Sequence, residues 1–170
     1  MMMLLRYMTT KPKGVILGLD PGIGRIGYAV ITGSRSTPNI LTLGCLETSR
    51  KLSQAERLGE IAAYVRTLLK QWRPDGVAVE RLYFSTNVKT ALAVAEARGV
   101  ITLTIQESGC KLYEFSPQEV KLAATGQGNA DKKQVQKMLK LMFKLPTPPK
   151  PDDAADALAL ALCAVTKVRI

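Results

Sequence analysis

Four carboxylates, carried by three segments far apart in the chain, are the residues best placed to do chemistry. Asp20 closes the apolar run Gly14-Val-Ile-Leu-Gly-Leu-Asp20 ahead of Pro21-Gly22, and Glu80 closes Asp75-Gly-Val-Ala-Val-Glu80. Asp153 and Asp156 stand in Pro151-Asp-Asp-Ala-Ala-Asp156; on a helix they lie about 60° apart and can reach one ion. Acids at the ends of apolar strands are costly when unpaired, because burial and mutual repulsion both oppose ionisation. A hard divalent cation removes that cost, and an all-carboxylate set suits Mg²⁺, with Mn²⁺ as a substitute, better than zinc. Two such ions roughly 3.5–4 Å apart would hold a phosphodiester between them for hydrolysis, with Asp20 shared and Glu80, Asp153 and Asp156 completing the two shells. Each acid also has an ordinary explanation. Asp20 could be a turn former beside Pro21-Gly22, Glu80 an ion-pair partner of Arg81 or Arg98, and the acids near Asp153 a complement to a helix dipole. All of these would have to hold at once.

Composition narrows the classes. A chain of 170 residues with 46% apolar side chains can bury one sizeable core, and no long uncharged stretch reads as a membrane span. We expect a single domain over 14–170, with residues 1–13 as a disordered extension or, in part, upstream of a true start at Met8. The stretch before Lys11 lacks the cleavage site of a signal peptide. Cys45, Cys110 and Cys163 form neither a zinc ribbon nor a disulfide framework, which suggests a reducing, cytoplasmic setting. Histidine is absent, which excludes histidine acid–base catalysis and histidine metal ligands. The formal charge of +10 calls for a polyanionic partner, most simply nucleic acid.

The elements that must position the acids follow from pattern. Val15 to Asp20, Arg25 to Thr32 and Asn39 to Glu47 read as three consecutive antiparallel strands. Ser53 with Glu56 opens a helix that stops at Arg73-Pro74-Asp75-Gly76; Val77 to Glu80 is a short buried strand, and a long helix runs from about Asn87 to Glu107. Lys111 to Phe115 is the fifth strand, Ser116-Pro117-Gln118-Glu119 starts a short helix, and Asn129 is expected to cap the next one, to about Phe143. The last helix runs from Asp152 to about Lys167. This order predicts an α/β fold of the ribonuclease H-like kind, a mixed five-stranded sheet with helices on both faces.

Two further groups look toward DNA. Lys132, Lys133, Lys137, Lys140, Lys144 and Lys150 make a basic stretch without an acid, and Lys132 and Lys133 sit in a first helical turn where a bound phosphate would offset their repulsion from the dipole. A solvated lysine face is the plain alternative. Tyr83 and Phe84 are adjacent in a polar segment, one suited to the core and the other to stacking on an unpaired base.

Together, Leu17-Gly-Leu-Asp-Pro-Gly22, Val79-Glu-Arg-Leu-Tyr-Phe84, Ala97-Arg-Gly99, Val120-Lys121, Gly126-Gln-Gly128, Lys132-Lys-Gln-Val-Gln136 and Asp153-Ala-Ala-Asp156-Ala-Leu-Ala resemble, in order and spacing, the RuvC family of bacterial Holliday junction resolvases. The resemblance runs from about residue 14 to the C-terminus. It implies a Mg²⁺-dependent homodimeric endonuclease that nicks opposing strands of a four-way DNA junction symmetrically, in recombination and repair, with a preference for a short thymine-rich sequence. It also implies cooperation with a branch-migration helicase complex of the RuvA and RuvB type. The family's metal ligands fall on Asp20, Glu80, Asp153 and Asp156, its important lysines on Lys121 and Lys132, and its junction-probing aromatic on Tyr83; the long helix after Asn87 matches its dimer helix. Some relatives place histidine where this chain has Asp153. Three rivals remain from the residues: a YqgF-type nuclease acting on RNA, an actin-like kinase lobe with Asp20-Pro-Gly-Ile-Gly24 as a phosphate hairpin, and a catalytically silent junction-binding module.

Overall fold

The computed structural model describes residues 14–81, 88–165 and 167. Its elements run β1 (Ile16–Asp20), β2 (Arg25–Gly33), β3 (Pro38–Glu47), α1 (Gln54–Trp72), β4 (Gly76–Glu80), α2 (Val88–Glu107), β5 (Leu112–Phe115), α3 (Pro117–Thr125), α4 (Lys132–Met142) and α5 (Asp152–Val165). The strands form one sheet in the order β3-β2-β1-β4-β5. β1 pairs antiparallel with β2 and β2 with β3, whereas β1–β4 and β4–β5 are parallel. This is the mixed sheet predicted from the order of elements.

Alternation along the strands sorts the apolar side chains into two cores. Leu17, Leu19, Val77 and Val79 face one way and pack with Ile61, Val65, Leu68, Ala97, Ile101 and Ile105 of α1 and α2. Ile16, Ala29, Ile31 and Ala78 face the other way, onto α5, with α3 and α4 closing that layer through Val120, Val135 and Leu139. Helices therefore cover both faces, as a ribonuclease H-like fold requires. In α5, every residue from Ala157 to Val165 is buried. A helix apolar all round belongs in a core, and its many alanines let it approach the sheet closely.

Local chemistry sets the helix ends. Ser53 with Glu56 and Ser116 with Glu119 form capping boxes, as expected. The cap of α4 is corrected. Asp131, not Asn129, accepts from the Gln134 backbone N–H at 2.8 Å, while Gln134 Oε1 accepts from the Asp131 N–H at 2.8 Å. A reciprocal pair satisfies two orphan donors, and a lone Asn129 in the preceding turn satisfies none of them. Arg73, Gly109 and Gly126 adopt positive φ at the ends of α1, α2 and α3. Among the described residues no helix is long and apolar enough to cross a membrane.

Candidate active site

β1 and β4 are neighbours running in the same direction, with Leu19 paired to Val79, so their last residues, Asp20 and Glu80, emerge side by side at the C-terminal ends of two interior strands. Strand spacing puts their backbones roughly 4.8 Å apart. Alternation then decides the face. Leu19 and Val79 enter the α1/α2 core, so Asp20 and Glu80 point to the α5 side, where the first turn of α5 carries Asp153 and Asp156.

Two glycines bring that turn down onto the sheet. A Cβ on Gly27 of β2 would overlap the Asp153 carbonyl, and one on Gly18 of β1 would overlap the backbone of Ala157 and Ala161. The strand pattern places Gly18 and Gly27 inside strands but gives them no task by itself. A glycine inside a strand pattern is a sign of close backbone approach, and it is the clue the sequence offers.

Asp20, Glu80, Asp156, Lys121 and Lys132 line one cavity of about 240 Å³. Burial, then Asp156, Glu80 and Asp153 in that order, push the Asp20 carboxyl up to about 8. Burial and then Asp156 raise Glu80, and burial raises Asp156 against the opposing pull of Lys132. Asp153 stands beside this cavity, acting on Asp20 through its charge and lying 4.0 Å from Arg25. A larger cavity of about 480 Å³, between the C-terminal ends of α1 and α2, carries one acid, Glu107, which pairs with Arg66. It offers no comparable group of carboxylates.

The ordinary explanations fare unequally. Arg98 donates to the Glu80 backbone carbonyl at 3.0 Å and pairs its guanidinium with Glu114; Arg81 reaches the Glu114 carbonyl. Among the described residues neither arginine neutralises the Glu80 carboxylate. Lys132, by contrast, has carboxylate partners. Its ammonium is 3.1 Å from Asp156 and 3.3 Å from Asp152, which offsets its unfavourable place in the first turn of α4. Partial burial opposes that charge, but the bonds to Asp156 and Asp152 raise Lys132 above its ordinary value. Lys133 and Lys137 are exposed while Val135 and Leu139 are buried, so α4 divides its faces over these positions; Lys140 is half-buried, Leu141 is exposed beside the lysines, and Lys144, expected on the same helical face, lies past Met142 with positive φ. Tyr83 and Phe84 lie outside the described residues.

The donor set is all oxygen, and three of its carboxylates are held above their ordinary values by burial and by each other. That is the imbalance a hard divalent cation relieves. Among the described residues, however, no three acids, cysteines or histidines stand ready to coordinate one ion. Asp156 is turned onto Lys132 and Asp153 toward Arg25, so side-chain cations occupy part of the field.

Comparison with other proteins decides the family. The model for "Crossover junction endodeoxyribonuclease RuvC" matches residues 16–164. The chain belongs to the RuvC family. It is 46% identical over 147 residues to the RuvC of Roseiflexus sp. (strain RS-1), covering 86% of this chain and 88% of the relative. It is 47% identical over 154 residues to that of Thermosipho melanesiensis, covering 91% and 98%. Among solved structures, Thermus thermophilus RuvC in complex with a Holliday junction substrate superposes with a TM-score of 0.83 at 35% identity, covering 88% of this chain and 91% of that one.

Proposed function

We propose that this protein resolves Holliday junctions, nicking two opposing strands of a four-way DNA junction by divalent-metal-dependent phosphodiester hydrolysis. The observation that carries the reading is the meeting of Asp20, Glu80 and Asp156 with Lys121 and Lys132 around one cavity, in a chain whose RuvC relatives it matches along nearly its whole length. Asp20, Glu80, Asp153 and Asp156 would hold two Mg²⁺, or Mn²⁺ in their place. When bound, the ions supply charge for the scissile phosphate and activate the attacking water. Asp20 and Glu80, fixed at the ends of adjacent strands, set the depth at which the phosphate is held. Lys121 and Lys132 face that phosphate from α3 and α4 as point charges that complement the charge developing on its oxygens. Lys133 and the exposed lysines of α4 track the flanking backbone. Tyr83 and Phe84 are the candidates for stacking on a base at the crossover.

Two copies acting together account for paired cuts. α2 leaves Leu92 and Leu103 62% and 59% exposed on the side away from the core, with exposed Glu96 and Gly99 between them, a surface suited to a second copy of the same helix. Branch-migration proteins of the RuvA and RuvB type are the accompanying partners. The deciding experiment is to incubate the protein with a synthetic mobile four-way junction and Mg²⁺. Paired nicks at symmetric positions on opposing strands are expected; cutting confined to RNA, or no Mg²⁺-dependent nicking, would refute the reading and favour the YqgF-type or silent-module alternative.

A further inference from the structure

Lys132 does not rest on one carboxylate. Its ammonium bridges Asp156, which lines the cavity, and Asp152, which does not. Asp152 is in turn fastened from its other oxygen, Oδ1, by the Gln136 side-chain amide at 3.1 Å. Lys132 and Gln136 are one turn apart on α4, and Asp152 and Asp156 one turn apart on α5, so the four side chains form a ladder between two helices. With a divalent cation held at Asp156, the Lys132 ammonium would be repelled from that carboxylate. Lysine has a flexible four-carbon stem, and with Asp156 as its only anchor it would swing into solvent. The second anchor changes that outcome.

We propose that Asp152, braced by Gln136, is a positioning residue for Lys132: it keeps the ammonium at the rim of the cavity when a divalent cation takes Asp156, so that the charge stays beside the scissile phosphate. This rests on the reading of the carboxylate cavity as a metal site. Asp152 is exposed and outside that cavity, so its task is to hold the lysine, not to bind the ion. An exposed ion pair biases a side chain only modestly, which sets the scale of its loss at roughly 3- to 5-fold.

The test follows the Lys132 amine directly. The full-length protein is pulsed with an amine-acetylating ester, with chelator or with saturating MgCl₂, and labelling of Lys132 and of the solvent-facing Lys137 is read by peptide mass spectrometry. In the unsubstituted protein Lys132 should label more slowly than Lys137 under both conditions. In Asp152→Asn, Mg²⁺ should raise Lys132 labelling roughly 3- to 5-fold, to the Lys137 rate; Gln136→Ala should move it the same way by less. Junction-nicking kcat should fall by the same factor in Asp152→Asn with the Mg²⁺ requirement unchanged, and Lys132→Ala with Asp152→Asn should be no slower than Lys132→Ala alone. Equal Lys132 labelling in the two proteins under Mg²⁺ would overturn the proposal. A Mg²⁺ requirement with equal Lys132 labelling in the two proteins overturns the role of Asp152 alone, whereas failure of the unsubstituted protein to nick junctions overturns the metal-site reading and the proposal with it.

Discussion

At the scale of single residues, the site is built from a conflict. Asp20 is pushed from its ordinary 3.8 to about 8 by burial and by three neighbouring acids. With the folded value raised, the contribution to stability is fully present below about pH 4 and is lost as pH rises through about 8. In chelator, therefore, the melting temperature should fall as pH is raised from about 5 to about 8. Asp20→Asn should lack that part of the decline and melt higher at about pH 8, by ~2–4 °C for each kcal/mol of relieved repulsion. Mg²⁺ should raise the melting temperature of the unsubstituted protein more than that of the variant. The same substitution should abolish nicking while leaving junction binding, measured by gel shift; a variant that still cuts would remove Asp20 from the chemistry.

Secondary elements determine whether these residues meet. α5 can deliver Asp153 and Asp156 only because β1 and β2 present Gly18 and Gly27 beneath it. Gly27→Ala should push the α5 first turn off the sheet, destabilise the fold by ~1–3 kcal/mol, and lower nicking far more than DNA affinity. Denaturant unfolding and nicking rates measured together check this, and an unchanged rate would show that the close approach is dispensable. α4 contributes in another way, through an exposed lysine face opposite buried Val135 and Leu139. Replacing Lys133 and Lys137 on that face, together with Lys144 just past the helix end, by glutamine should weaken binding to all junction sequences alike. It should also flatten the plot of log affinity against log salt by about 0.9 for each phosphate no longer neutralised. An unchanged slope would return those lysines to a solvated surface.

For the molecule as a whole, one active site makes one nick, and resolution needs two. α2 packs Ala97, Ile101 and Ile105 toward the core and leaves Leu92 and Leu103 exposed on its other side. A charge at an exposed position has no folding cost there but a large one inside a pairing face. Leu103→Asp should leave the circular dichroism and thermal melt of the fold intact while shifting sedimentation toward the monomer. Junction products should change with it, from paired nicks to unpaired ones. A Leu103→Asp protein that remains dimeric would place the interface elsewhere.

Much of this is legible in the residues alone. The order of elements along the chain, the capping boxes at Ser53 and Ser116, the acids at two strand ends and the buried Val135/Leu139 side of α4 all follow from short-range chemistry, which acts through spacing and is therefore written in spacing. Asn129 is the cap expected from the residues, and the reciprocal Asp131–Gln134 bonds of the fold place the cap two residues further on. Sequence could name the four carboxylates but not their partners. That Arg98 turns away from the Glu80 carboxylate, that Lys132 bridges Asp152 and Asp156, and that Gly27 admits the Asp153 turn are contacts between segments distant in the chain. Those contacts depend on sheet register and helix docking, where a shift of one residue reverses a face, and so they were decided by tertiary structure.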